Sequence, residues 1–182
     1  MTLYQKIGAI GPKYFGKANM FKWGFNLSPM YRTSTARITA VSDDLFWVKA
    51  KLPISFRNRN YVGSIFGGSM FAAVDPIPMV QLINILGNDY VVWDKSAEIF
   101  FKIPAKEDLY AEFAYAPEEI DQIKRRVAQD GEHEIVKTTR LTSQDGQKTY
   151  CEVQKTIYIA SKAHFKVKQQ ARRNRQKVQF DY

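Results

Sequence analysis

The residues best suited to chemistry lie between Asn60 and Gly87, in the run N-Y-V-G-S-I-F-G-G-S-M-F-A-A-V-D-P-I-P-M-V-Q-L-I-N-I-L-G. Between Arg59 and Asp89 the only charged side chain is Asp75, set among Met70, Phe71, Val74, Ile77, Met79, Val80, Leu82, Ile83, Ile85 and Leu86. A helix apolar on nearly every face is one the fold encloses. An unpaired carboxylate inside it is costly unless partners or a raised pKa relieve it. A carboxylate so placed can serve as a general base. It can equally be only a cap, because in Asp75-Pro76-Ile77-Pro78 aspartate is a favoured N-cap and proline a favoured first helical residue. On that second reading Gly67 to Val74 forms one short helix, Asp75 caps another that runs to Leu86, and no chemistry follows.

The spacing upstream bears on the choice. Asn60 stands six residues before Phe66, Gly67 and Gly68 follow, and Asp75 comes seven after Gly68. This resembles the hotdog-fold acyl-CoA thioesterases of the phenylacetyl-CoA (PaaI-like) type, whose motif is Asn, then His-Gly-Gly, then Asp at those spacings. The resemblance implies that Asp75 is the general base or nucleophile toward the thioester or its attacking water. It also implies that Asn60 and the backbone N–H of Gly67 hold the thioester carbonyl, with Phe66 and Gly68 beside the substrate. Phe66 replaces the family's His, so the fold carries over more fully than the catalysis. The motif spans about 16 residues, and the strand order below extends the likeness to about 125. Further implications are a homodimer or dimer of dimers, with Asp75 supplied by the opposite subunit. Coenzyme A enters only as part of an acyl-CoA or related thioester substrate, and no metal or other cofactor is required.

The elements that must position these residues follow from periodicity. From Ser34, Ala36, Ile38 and Ala40 alternate with Arg37 and Thr39; after the turn at Ser42-Asp43-Asp44, Phe46, Val48, Ala50 and Leu52 alternate with Trp47, Lys49 and Lys51. Together they predict a hairpin with one buried face. Pro53 to Arg59 is a loop, and Gly87-Asn88-Asp89 stops the central helix. The next strand is expected over Ala97 to Ile103, and Leu109 to Tyr115 makes another. A polar helix begins at Pro117-Glu118-Glu119 and carries Lys124-Arg125-Arg126 near its end, as its dipole favours. Ile135 to Thr142 and Lys148 to Ile159 close the sheet around the turn Gln144-Asp145-Gly146-Gln147. Two strands, an apolar helix and four strands predict an α+β hotdog fold: an antiparallel sheet of about six strands wrapped around a long apolar central helix. A generic α+β sandwich is the alternative.

Composition sets the outer limits. The 182 residues suit one domain with appendages, and 45% apolar and 14% aromatic content argues against disorder. Three parts are expected: an aromatic-rich segment over 1–33, packed over the core or an acyl pocket, the hotdog domain over 34–160, and a basic tail over 161–182. Leu3, Ile7 and Ile10 make one face of a short helix ending at Gly11-Pro12. Lys6 and Lys13 interrupt these residues, so no export signal is read. The single Cys151 excludes an internal disulfide framework, is expected in the core, and suits a reducing cytoplasm. No Cys/His cluster has zinc spacing.

Net charge is +9, of which the tail carries +6 through seven basic residues against Asp181. That charge could meet nucleic acid or anionic lipid. Apart from the terminal Phe180 and Tyr182 its only aromatic is Phe165, so a specific single-strand binder is not expected, and the simpler expectation is a solubilising or loosely packed helix. Membrane-surface contact stays open but is not favoured. Arg57 and Arg59 are candidates for the phosphates of coenzyme A, against a simpler reading as solvated charges. His133, in an expected surface turn, and His164, in the tail, lack neighbours that suggest a triad. The functional expectation is therefore a protein that hydrolyses or binds an acyl thioester. Two alternatives stand beside it: a non-catalytic acyl-binding or scaffold domain, and a dimerisation platform for the basic tail.

Overall fold

The computed structural model describes residues 16–179, with side chains through residue 174. The expected helix over Leu3 to Ile10 lies outside that range. Two helices, α1 (Lys17–Leu27) and α2 (Pro29–Thr33), lead into β1 (Arg37–Val41) and β2 (Trp47–Leu52). Then come α3 (Gly67–Val74), α4 (Pro76–Leu86), β3 (Tyr90–Phe101), β4 (Leu109–Ala114), α5 (Pro117–Asp130), β5 (Glu132–Thr142), β6 (Thr149–Ser161) and α6 (Lys162–Gln179). The six strands form one antiparallel sheet in the order β1-β2-β4-β5-β6-β3. The sheet wraps the α3–α4 rod, which is the hotdog arrangement expected from the sequence.

Alternation decides which face of each strand meets the rod. Val48, Ala50 and Leu52 of β2 are buried, as are Leu109, Ala111 and Phe113 of β4. On β6 the corresponding row is Cys151, Val153, Lys155, Ile157 and Ile159. Met70, Ala73, Val74, Ile77, Leu82 and Leu86 of the rod pack against these rows. The stretch Gly67–Leu86 is long and apolar enough to cross a membrane, with mean hydropathy 1.4. Here it is the core helix of the sheet.

The first segment joins the same core. Phe21, Phe25 and Tyr31 are buried, and the Tyr31 hydroxyl donates to the Ala73 carbonyl at 2.9 Å. Packing over the core, as expected for this segment, is what its described half does. Asn26 binds both backbone groups of Ile38, donating to its carbonyl at 2.9 Å and accepting from its N–H at 2.8 Å. It thereby occupies part of the outer edge of β1.

Three expectations need correction. Strand β3 begins at Tyr90, seven residues before the predicted Ala97, and ends before Ile103. Its first half escaped notice because a bulge between Asp94 and Ser96 breaks the alternation. His133 lies within β5, not in a surface turn. The tail is not loosely packed at its start: Phe165 meets the Trp93 ring edge-on at 5.2 Å, and Trp93 stacks on Tyr158 at 4.3 Å. His164 also has a carboxylate neighbour, Glu132 at 3.6 Å, which Lys168 and Tyr158 share. These contacts dock the start of α6 on the sheet face opposite the rod.

Candidate functional site

The central rod has two features of use, and they lie at different points along it. The first is the N-terminus of α3. Phe66 precedes the helix in extended geometry, and its N–H donates to the Asn58 carbonyl at 2.7 Å. Its own carbonyl accepts from Ser69 and Met70. The N–H groups of Gly67 and Gly68 find no acceptor among the described residues. Two free donors at the positive end of a helix form a place where negative charge is favoured.

Aromatic rings close on both glycines. A Cβ on Gly67 would stand 2.6 Å from the tip of Phe101, and one on Gly68 would run into the Phe66 ring. A side chain at either position would have to displace one of these rings. Phe66 and Phe101 are themselves 58% and 57% exposed, so an apolar wall with an open side flanks the two donors.

The loop before α3 is built by two asparagines. Buried Asn58 donates to the Thr35 hydroxyl and the Pro53 carbonyl and accepts from the Ser55 N–H. Asn60 accepts through Oδ1 from the N–H groups of Val62 and Ser64 at 3.1 and 3.0 Å, and donates to the Ser64 hydroxyl at 2.9 Å. That Asx-type turn occupies its oxygen and leaves one hydrogen of its amide for another partner. Arg57 and Arg59 are exposed on this loop, and Arg57 lies over the exposed Phe56 ring at 5.6 Å.

The second feature is the α3–α4 joint. The cap reading of Asp75 fails on geometry, because the residue is helical (φ −50°, ψ −54°) and its side chain makes no capping bond. A residue already turning with the helix cannot aim its carboxylate back at the N–H groups of the following turn. The joint arises from Pro76 and Pro78, which remove two helical N–H donors.

Nor is Asp75 unpaired. Lys155 Nζ lies 2.6 Å from its Oδ1 and also donates to its main-chain oxygen; at 2.8 Å it reaches Asp94 Oδ2. Lys155 is 2% exposed, Asp75 39% and Asp94 26%. Burial, outweighing the pull of Lys155, holds the Asp94 carboxyl above the usual carboxylate range. Sequence reasoning missed both partners. The signal for Lys155 was present, since it falls between Val153 and Ile157 in the row of β6 that faces the rod. Asp94 carried no such signal, because the bulge hid its strand.

The two features cannot meet within one chain. Asp75 follows eight helical residues after the glycine N–H groups, which at 1.5 Å per residue is about 12 Å. Elsewhere, Cys151 is fully buried and its thiol is pushed up to about 11 by desolvation, so it is a core residue as expected. Among the described residues no cluster of His, Cys, Asp and Glu could hold a metal ion.

Comparison with known proteins gives one family and a set of folds. A family model described as a domain of unknown function, DUF4442, matches residues 17–159. A search of curated proteins found no match. Among solved structures, a Pseudomonas aeruginosa protein of unknown function described as a probable thioesterase superposes with TM-score 0.66 at 20% identity, covering 76% of this chain and 91% of that one. A Haemophilus influenzae thioesterase gives 0.54 at 15% identity, covering 75% and 87%. A Chlorobaculum tepidum protein of unknown function gives 0.61 at 14% identity, covering 87% and 94%. At these identities the likeness is one of fold.

Proposed function

The chain belongs to the DUF4442 family and carries the hotdog fold, and from that premise we propose that it hydrolyses an acyl thioester, such as an acyl-CoA, at a site shared by two copies in the cytoplasm. The observation that carries the reading is the pair of free N–H groups at Gly67 and Gly68, walled by Phe66 and Phe101, on the same rod as Asp75 but about 12 Å from it. A donor pair and a base that one chain holds apart can work together only if a second copy supplies one of them.

In this mechanism the thioester carbonyl oxygen accepts from the Gly67 and Gly68 N–H groups, and the acyl chain lies against the two phenylalanines. The partner's Asp75 takes a proton from water, whose oxygen adds to the carbonyl carbon. The resulting oxyanion is stabilised by the two N–H donors and the helix dipole. The oxyanion then re-forms the carbonyl, the C–S bond breaks, and the departing thiolate takes the proton back from Asp75. The products are a carboxylic acid and a free thiol, and coenzyme A takes part only as the leaving group. Arg57 and Arg59, exposed on the loop that precedes the donors, suit the phosphates of that leaving group. The amide hydrogen that Asn60 keeps free is a further donor for the carbonyl.

A panel of acetyl-, hexanoyl-, palmitoyl- and benzoyl-CoA, read by release of free thiol, tests the proposal. Wild type should turn over at least one member, and Asp75→Asn should lose about two orders of magnitude of kcat, as when a positioned base is removed. Equal hydrolysis by the two proteins would leave the carboxylate without a chemical role, and no hydrolysis by wild type would favour the non-catalytic acyl-binding alternative.

A further inference from the structure

Lys155 is the one charged side chain in the row of β6 that faces the rod, and it is almost completely withdrawn from water. An ammonium at that depth survives only if its hydrogens are all engaged. They are: one goes to Asp75 Oδ1, one to the Asp75 main-chain oxygen and one to Asp94 Oδ2. Lys155 therefore has no hydrogen or lone pair to offer a substrate. What it does have is a grip on both the backbone and the side chain of Asp75.

The two carboxylates it joins differ. Asp75 gives one oxygen to Lys155, while Oδ2 accepts no hydrogen bond among the described residues and the side chain is more than a third exposed. Asp94 also gives one oxygen to Lys155, but its Oδ1 is buried with no partner. A further ionisable group near this cluster is Tyr115, whose hydroxyl is committed to the Pro78 carbonyl at 3.0 Å and whose ring lies under Lys137. The cluster thus has one outward-facing atom able to accept a proton, Asp75 Oδ2.

We propose that Lys155 and Asp94 are positioning residues for Asp75. Lys155 fixes the Asp75 rotamer so that Oδ2 faces the open side of the joint. Asp94 shares the Lys155 ammonium, so that only part of its charge bears on Asp75. The inference rests on the thioesterase reading above. It gives each member of the cluster a distinct effect. Without Asp94, the whole ammonium charge acts on Asp75 and weakens it as a base. Without Lys155, two carboxylates face one another and Asp75 loses its fixed rotamer.

Steady-state kinetics on the fastest-hydrolysed member of the acyl-CoA panel tests this, with the pH profile of kcat/KM as the second readout. Asp94→Asn keeps the shape of the cluster and should lower kcat about tenfold with KM little changed, and move the acid limb to lower pH. A residue that only supported the fold would lower the melting temperature and leave the acid limb in place. Lys155→Met alone leaves charges without a partner and is prone to misfold, so it is paired with Asp94→Leu, which removes both buried charges together. That double variant should fold cooperatively and lose about a hundredfold in kcat, the scale of a misplaced catalytic group. If it does not fold, Asp94→Asn decides alone. A wild-type rate in the folded double variant, or an unchanged pH profile in Asp94→Asn, overturns the positioning role. In that case an inactive Asp75→Asn still upholds the thioesterase reading. Failure of wild type to hydrolyse any member of the panel overturns both.

Discussion

Asp75 shows how one residue can satisfy two physical demands that look opposed. The fold tolerates it because Lys155 neutralises it, and chemistry remains open to it because Lys155 takes only one of its oxygens. The cost appears at Asp94, whose carboxyl is held above its ordinary range by burial. A carboxyl raised in the folded state binds its proton more tightly there than when unfolded, so its contribution to stability is complete at low pH and is lost as pH rises through the folded value. Six carboxylates act the other way: Asp44, Asp108, Glu112, Glu132, Asp145 and Glu152 are all lowered by hydrogen bonds from neighbouring side chains. Their contribution is present above the ordinary carboxylate range and is lost as pH falls through their depressed values. With six against one, urea midpoints measured from pH 7 downward should fall below about pH 4. Asp94→Asn should steepen that fall, since it removes a carboxyl that favours folding in acid. A midpoint that rose on acidification would contradict the assignment.

At the scale of elements, α6 carries the clearest consequence. Its first turns place Phe165 on Trp93 and Lys168 and His164 on Glu132, whereas Arg172, Arg173 and Asn174 are exposed. The apolar contact is worth about 1–2 kcal/mol by area, and the surface ion pairs add little. Truncation after Asn174 should therefore leave the melting temperature within about a degree of wild type. Truncation after Ser161 uncovers Trp93 and Tyr158 and should lower it by several degrees, roughly 2–6 °C, with a red shift in tryptophan emission. Equal melting temperatures for the two truncations would mean that the docked turns contribute nothing. The sheet has a second irregular place: β4 and β5 share only the Tyr110–Thr142 pair, then separate. Lys137 enters the gap, donating to the Ala114 carbonyl and to both oxygens of Glu119. That side chain ties β5 to the end of β4 and to α5 where the ladder is absent.

For the whole molecule, one group of exposed apolar residues lies where the site is incomplete. Phe66, Phe100, Phe101 and Ile103 are each 39–58% exposed. Beside them β3 forms one edge of the sheet, and Lys95 through Glu98 are exposed along it. A long, uncovered edge strand with aromatic residues at its end is a surface for pairing. We expect light scattering coupled to sizing to give a dimer at micromolar concentration. Phe100→Lys with Ile103→Asp, which leaves Phe66 and Phe101 in place, should convert it to monomer and abolish thioester turnover, because neither copy then completes the other's site. A monomeric wild type that still hydrolyses thioesters would refute the shared site.

The sequence determined the fold through features that are local and periodic. Apolar alternation marked five of the strands close to their observed bounds, and the largely apolar run from Met70 to Leu86, with Asp75 its only charge, marked the helix the sheet had to enclose. The glycine pair and Asp75 could be picked out for the same reason: their spacing lies within one element. What decided the state of Asp75 is 80 residues away on β6. Lys155 belongs to a strand whose pattern looks complete without it, and Asp94 lies beside a bulge that erases the pattern altogether. Whether Asp75 caps a helix or faces a lysine depends on the backbone angles at the joint and on the register that sets Lys155 beneath it. Both are products of the sheet closing around the rod, and no local pattern carries them.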